Sequence, residues 1–202
     1  MKTVIYFIRH GDVYNPTDIV YGRLPGFGLS EKGKKQIEQA AKYLKTQNIN
    51  FLYSSPILRA QQTAEIIQKE LGLPKINYSE YITEILTSVQ GKTSTYAHKT
   101  YPNFDIFAGP GKDITGETIG DVSDRIEQFI YNIQKKYSGK NIVAVTHGDL
   151  LMLLKALAGG LPIVIESIRP GSDQYAQKGE IYKVTCDENG QITIESVFKP
   201  NL

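Results

Sequence analysis

Val4-Ile5-Tyr6-Phe7-Ile8, running directly into Arg9-His10-Gly11, decides the fold. Five consecutive apolar, β-favouring residues read as a strand buried on both faces, the habit of a parallel sheet. The stretch 141–146 repeats the pattern and also ends in histidine and glycine, His147-Gly148. Phe51-Leu52-Tyr53 gives a third, short strand. Helical periods fill the intervals. Ile37, Ala40, Ala41 and Leu44 follow Ser30, a good N-cap. Ala60, Ala64, Ile67 and Leu71 follow Ser55-Pro56, read as an N-cap and a first-turn proline, and stop at Gly72. Residues 116–137 form the longest helix, with Ile119, Val122, Ile126, Phe129, Ile130 and Ile133 on one face, and 149–158 form another that Gly159 stops. Residues 179–184 and 191–197 alternate about Asp187-Glu188-Asn189-Gly190, a hairpin at the C-terminal edge. Strands alternating with helices predict an α/β protein: a three-layer αβα sandwich with a mostly parallel central sheet, one domain over 1–202.

Residues 78–115 break the rhythm. They show no period and carry Gly91, Pro102, Gly109, Pro110 and Gly111. They read as an irregular, partly helical, cap-like insertion covering the site. Ile85, Leu86, Val89, Tyr96, Tyr101, Phe104 and Phe107 are expected to give it a small core of its own and an apolar lid.

Composition narrows the function. The chain has 202 residues, 41% of them hydrophobic and 22% charged. Disordered and collagen-like readings are excluded. Lys+Arg is 23 against 21 for Asp+Glu, so there is no basic stripe for nucleic acid. Cys186, the one cysteine, can form neither an internal disulfide nor a zinc–thiolate cluster. The apolar run at 4–8 is too short for a signal peptide core, and 150–157 is interrupted by Lys155. A cytoplasmic protein with no membrane contact, monomeric or homodimeric, is expected.

Three strand ends carry polar residues: Arg9-His10-Gly11, then Ser54-Ser55-Pro56 with Arg59, then His147-Gly148-Asp149. In open α/β sheets ligands bind at the carboxyl edge. Two histidines, two arginines and two helix N-termini would therefore meet on one rim, an arrangement suited to phosphate. A single arginine or histidine at a strand end is usually a hydrogen-bonded loop residue, and Gly11 or Gly148 can simply serve a tight turn. His-Gly after two separate buried strands is a much rarer coincidence. His98, in the insertion, is expected on the surface without a role.

Arg9-His10-Gly11 after an apolar strand resembles the signature of the histidine phosphatase superfamily, in its phosphoglycerate-mutase-like branch. Asn15 and Tyr21-Gly22-Arg23 resemble that family's first substrate loop, and Ser30 the start of its first helix. The run from Ser54 through Arg59 to Ala64 is close to its second motif. Glu84 falls where the family keeps an acid, Gly116-Glu117-Thr118 with Asp121-Val122 and Arg125 look like the opening of its long helix, and Thr146-His147-Gly148 matches the last motif. Two stretches depart: Thr87-Ser88-Val89-Gln90-Gly91, and 166–178, which lacks the asparagine common there.

The resemblance implies that His10 is a nucleophile forming phosphohistidine, that Arg9 and Arg59 grip the phosphoryl oxygens, that His147 donates to them, and that Glu84 is the general acid and then the base. It implies Asn15, Gly22, Arg23 and Gly148 as secondary substrate contacts. The physical chemistry agrees, because neutral imidazole is a usable nucleophile at neutral pH. Phosphoryl transfer needs positioning and charge stabilisation, which two arginines and a histidine supply. No cofactor and no metal are expected. The leading reading is a phosphatase acting on a small phosphorylated molecule. Its alternatives are a cofactor-dependent phosphoglycerate mutase, disfavoured by the short hairpin ending, and a catalytically idle phospho-ligand or protein-binding module, disfavoured because His10, Arg59 and His147 are all present.

Overall fold

The computed structural model describes residues 2–100, 116–171, 173–187 and 191–201, so Tyr101, Phe104 and Phe107 lie outside the described residues. The elements run β1 (Thr3–Arg9), α1 (Glu31–Lys45), β2 (Phe51–Ser54), α2 (Leu58–Leu71), β3 (Ile76–Tyr78), a 3-10 turn (Glu80–Ile82), α3 (Ser94–Thr100), α4 (Ile119–Lys136), β4 (Asn141–Thr146), α5 (Gly148–Ala158), α6 (Ile165–Ile168), β5 (Ile181–Cys186) and β6 (Ile192–Phe198). Six strands form one sheet in the order β3-β2-β4-β1-β5-β6. The first four are mutually parallel, and the β5–β6 hairpin joins β1 antiparallel.

Alternation along β1 explains the layers. Ile5 and Phe7 face α4 and α5, packing with Val122, Ile126, Phe129, Leu150 and Leu154. Tyr6 and Ile8 face α1 and α2, packing with Ile37, Ala40, Leu44, Ala64 and Ile67. The expected three-layer architecture is present. The helix after β1 covers one face and the helix after β4 covers the other. β1 and β4 are nevertheless neighbours, with Arg9 opposite Thr146. Chains that leave adjacent strands for opposite faces open a crevice at the carboxyl ends, and ligands bind there. His10 and His147 are the first residues beyond that last pair, and the His10 N–H donates to the Thr146 carbonyl at 3.1 Å.

Several expectations need correction. The cap of α2 is Ile57, with no side-chain capping bond, so Ser55-Pro56 lies ahead of the helix rather than opening it. The long helix starts at Ile119, later than 116, behind a Thr118–Asp121 capping box. β3 and α6 escaped notice because three- and four-residue elements have no period to display. The insertion does not build a separate core in its described part: Ile85 and Val89, 2% and 3% exposed, join the main one, while Tyr96 is half exposed. Gly72 does close α2 in the left-handed conformation at φ 65°, and Ser30 Oγ accepts from the Gly33 N–H at 3.0 Å. Among the described residues no helix is long and apolar enough to cross a membrane. Cys186 is buried, which pushes its thiol pKa up to about 11.

The turn carrying His10 packs against the first turn of α1 through two glycines. A Cβ on Gly11 would lie 2.6 Å from the Gly33 carbonyl oxygen, and one on Gly33 would run into the Asp12 carbonyl. Gly33→Ala should therefore lower the unfolding free energy by about 1–3 kcal/mol, the usual cost of overpacking. Gly120→Ala, where the nearest atom is Thr118 Oγ1 at 3.6 Å, should be neutral or stabilising by up to about 1 kcal/mol. Urea unfolding of both variants reads the contrast, and equal shifts would remove the close approach as its cause.

Candidate active site

His10 stands one residue past β1, 1% exposed, and its ring is held from both sides. Nδ1 lies 2.8 Å from the Gly11 carbonyl oxygen, which can only accept, so Nδ1 carries the proton. Nε2 lies 3.0 Å from Arg59 Nε, which can only donate, so Nε2 offers its lone pair. The two neighbours together fix one neutral tautomer. Burial, then Lys178, Arg59, His147 and Arg9, hold the imidazole well below its usual pKa.

Arg59, in the first turn of α2, is completely buried. Beyond His10, its Nη2 donates to the Gly22 carbonyl at 2.9 Å and reaches His147 Nδ1 at 3.1 Å and Glu84 Oε2 at 3.4 Å. Its guanidinium also stacks over the Tyr21 ring at 4.6 Å. Arg9 donates through Nη1 to the Ala176 carbonyl and lies over the Tyr175 ring at 4.9 Å. Arg9 Nε and Arg59 Nη1 are buried with no hydrogen-bond partner among the described residues. Each such donor costs about 1–3 kcal/mol while unpaired, and an anion would satisfy both.

His147 caps α5 and places Nε2 2.8 Å from Ser55 Oγ. Because Arg59 Nη2 only donates, His147 Nδ1 accepts in this arrangement and Nε2–H points to Ser55. The Ser55 hydroxyl can donate as well as accept, so it can hold the other tautomer too. Burial and then Arg59 keep this ring neutral. Glu84 follows the 3-10 turn, and burial with Asp149 nearby raises its pKa against the pull of Arg59.

A cavity of about 380 Å³ opens here. Asn15 and Gly22 line it with Arg9 and Glu84, whereas Arg23 and Gly148 do not appear on its described wall. Asn15 exchanges two hydrogen bonds with the Ile19 backbone and closes its loop. Arg23 instead donates to the Glu84 carbonyl at 2.6 Å and pairs with Glu117. Glu117 also takes Arg125 at 2.9 Å and the Leu86 N–H, so that carboxylate anchors the strand of chain bearing Glu84. Gly148 leaves room for the Tyr175 hydroxyl, which a Cβ would meet. Tyr175 and Arg169 both bind Asp149.

Sequence reasoning placed Ser55, Asp149 and Tyr21 near the site without giving any of them a role, and it missed Arg169, Tyr175 and Lys178. Ser55 had a signal in its strand-end position. Tyr175 and Lys178 had none.

His10, Glu84 and His147 bring ligand-type atoms within 4.8 Å of one another, the one such trio among the described residues. It does not suit a metal ion. The Arg59 guanidinium reaches all three residues at 3.0, 3.1 and 3.4 Å, and a fixed positive charge there repels a cation.

The sequence pattern of the histidine phosphatase superfamily (branch 1) matches residues 5–192. The chain is 26% identical over 167 residues to the uncharacterized phosphatase PhoE of Bacillus subtilis, covering 79% of this chain and 80% of that protein. It is 29% identical over 157 residues to a metal-independent phosphoserine phosphatase of Arabidopsis thaliana, covering 74% and 66%. The solved structure of Bacillus stearothermophilus YhfR superposes with a TM-score of 0.83 at 25% identity over 98% of each chain.

The cationic surroundings make a spectroscopic prediction. At pH 6 a free imidazole is more than half protonated. Both buried rings should remain neutral there, because a lowered pKa keeps the proton off until the pH falls further. Long-range 15N–1H correlation spectra should show His10 neutral with the proton on Nδ1. A charged ring, or a proton on Nε2, would overturn the assignment.

Proposed function

The chain belongs to the histidine phosphatase superfamily (branch 1), and from that premise we propose that it hydrolyses a small phosphomonoester through a phosphohistidine on His10, without a metal or other cofactor. The observation that carries the reading is the tautomer of His10: Nδ1–H is anchored to Gly11, and the Nε2 lone pair faces the Arg59 guanidinium.

The chemistry follows from the groups in place. A phosphoryl oxygen is a stronger acceptor for a guanidinium than an imidazole nitrogen is. Arg59 would turn its donors to the phosphate and release the Nε2 lone pair. Arg9 Nε and Arg59 Nη1, the two unpaired donors, would gain partners at the same moment. Nε2 then attacks phosphorus, the N–P bond forms, and the ester P–O bond breaks. Glu84, whose pKa burial raises, would give a proton to the leaving oxygen. His147, with Ser55 donating to Nε2, would present Nδ1–H to the charge developing on the phosphoryl group. In the second half, water attacks phosphorus and passes a proton to Glu84, the N–P bond breaks, and His10 is restored with inorganic phosphate as product. Arg23 and Glu117 would act by holding Glu84 in place, and Asn15 and Gly22 by shaping the cavity wall.

The Arabidopsis relative's description as metal-independent supports the expectation that no metal takes part, as does the guanidinium standing among His10, Glu84 and His147. The lone buried Cys186 fits a reducing compartment such as the cytoplasm.

Two experiments test the proposal. Brief exposure to a labelled phosphomonoester with chelator present should leave acid-labile, base-stable label on the wild type and none on His10→Ala. Label on the variant would move the nucleophile, and a strict need for added Mg²⁺ would defeat the metal-free mechanism. Glu84→Gln keeps the shape and removes the acid. It should slow single-turnover phosphorylation by about 10²–10⁴-fold with an alkyl phosphate. A nitrophenyl phosphate, whose leaving group needs little protonation, should lose far less. Equal losses would reduce Glu84 to a positioning role.

A further inference from the structure

Lys178 lies between α6 and β5, on the wall of the same cavity as Arg9 and Glu84. Its Nζ donates to the Tyr21 hydroxyl at 3.0 Å and stands 5.7 Å from the centroid of that ring. The Tyr21 ring also stacks on Arg59, so one phenol holds two cations beside the nucleophile. Among the described residues no carboxylate lies within ion-pair distance of Lys178. Arg169, another cation of the wall, is held twice by Asp149. An ammonium gathered with Arg9 and Arg59 and lacking a counter-ion is a costly arrangement that an anion would balance. The electrostatics agree. Lys178 is foremost among the charges that keep His10 neutral, and burial with Arg9 and Arg59 drives the lysine's own pKa well down.

We propose that Lys178 is a further phosphoryl-binding residue, held by Tyr21 so that its ammonium contacts the phosphoryl oxygens together with Arg9 and Arg59. The proposal rests on the phosphomonoester reading of this cavity. A phosphomonoester near neutral pH carries between one and two negative charges. Arg59 Nη2 is already committed to the Gly22 carbonyl, Glu84 and His147, so Lys178 supplies donors that Arg9 and Arg59 leave short. It also does so with three rotatable donors on a flexible stem, able to follow the phosphoryl group from ester oxygen to imidazole.

The groups facing the ammonium are Arg9 of β1, Arg59 of α2, Tyr21 and Asp12 of the loop after β1, and Glu84. The two arginines drive its proton off, while Glu84 and Asp12 retain it. Phosphate binding should therefore weaken on the alkaline side at a pH below the ordinary lysine range.

The test is calorimetric titration with inorganic phosphate, which needs no turnover. Lys178→Met should weaken phosphate binding by about 10–100-fold, the usual worth of one hydrogen bond to a charged group. The kcat/KM for a nitrophenyl ester should fall in parallel, with the thermal unfolding midpoint unchanged or raised because an uncompensated cation is gone. Lys178→Arg should restore binding and carry it to higher pH. Lys178→Gln repeats the measurement should the thioether fail to pack. Undiminished phosphate binding in folded Lys178→Met or Lys178→Gln overturns the proposal. A wild type that binds phosphate through Lys178 yet forms no phosphohistidine upholds it and defeats the hydrolase reading instead.

Discussion

Arg59 is a guanidinium with no exposed surface, and such a group is costly unless its charge and most of its donors are answered. Here the answers come from four separate parts of the chain: the His10 imidazole after β1, the Gly22 carbonyl, the Glu84 carboxylate, and His147 after β4. Tyr21 completes the enclosure by covering the flat face of the ion. Each contact fixes a different group, so the orientation of both histidines and of the acid follows from the placement of one side chain. That side chain is in turn fixed by the helix it begins. α2 starts at Leu58, three residues separating it from the end of β2, and the Thr63 hydroxyl one turn on links the Arg59 carbonyl to the Gly11 N–H.

Charge is concentrated here against the tendency of burial. Arg9, Arg59 and Lys178 gather round two rings whose pKa values burial, and then these cations, lower. Nearby, Glu84 is moved the other way, toward its protonated form. On the proposed mechanism, the same removal from water favours the imidazoles as lone-pair donors and the carboxylic acid as a proton donor. A fold that places acid and base in environments of opposite effect separates their roles without further machinery.

The parts of this arrangement that were legible in the sequence share a cause. Ile5 to Ile8 and Ile142 to Val145 are buried on both faces, so their strands are written as unbroken apolar runs, and the residues next in line, His10 and His147, inherit a predictable address. Ala60, Ala64 and Ile67 write α2 as a period, which locates Arg59. Glu84 was readable only through resemblance, since an acid in an irregular stretch is ordinarily a solvated one. What escaped was decided by partners remote in the chain. Ser55 has the look of a helix cap, and only the fold brings it to His147, 92 positions away. Arg23 resembles a substrate contact until Glu117, 94 positions on, claims it. Tyr175 and Lys178 sit in a stretch with no period, where either side chain would by default face solvent. β3 and α6 are too short for any pattern to build up.

The cavity has two kinds of wall. One is made at a strand end by Arg9 and at the first turn of α5 by Asp149, with Arg59 and the two histidines behind it. The other is made by connecting segments, with Asn15, Asp18, Ile19 and Val20 on one side and Ile85, Thr87 and Ser94 on another. The Asn15–Ile19 bonds and the Ser94–Asp18 bond join these segments to each other. Such a division makes the protein evolvable. On the proposed reading, insertions or exchanges in the connecting segments would remodel the space offered to the alcohol portion of an ester while the reacting atoms kept their spacing. A lineage built on this plan can change its diet by small mutational steps and leave its chemistry untouched.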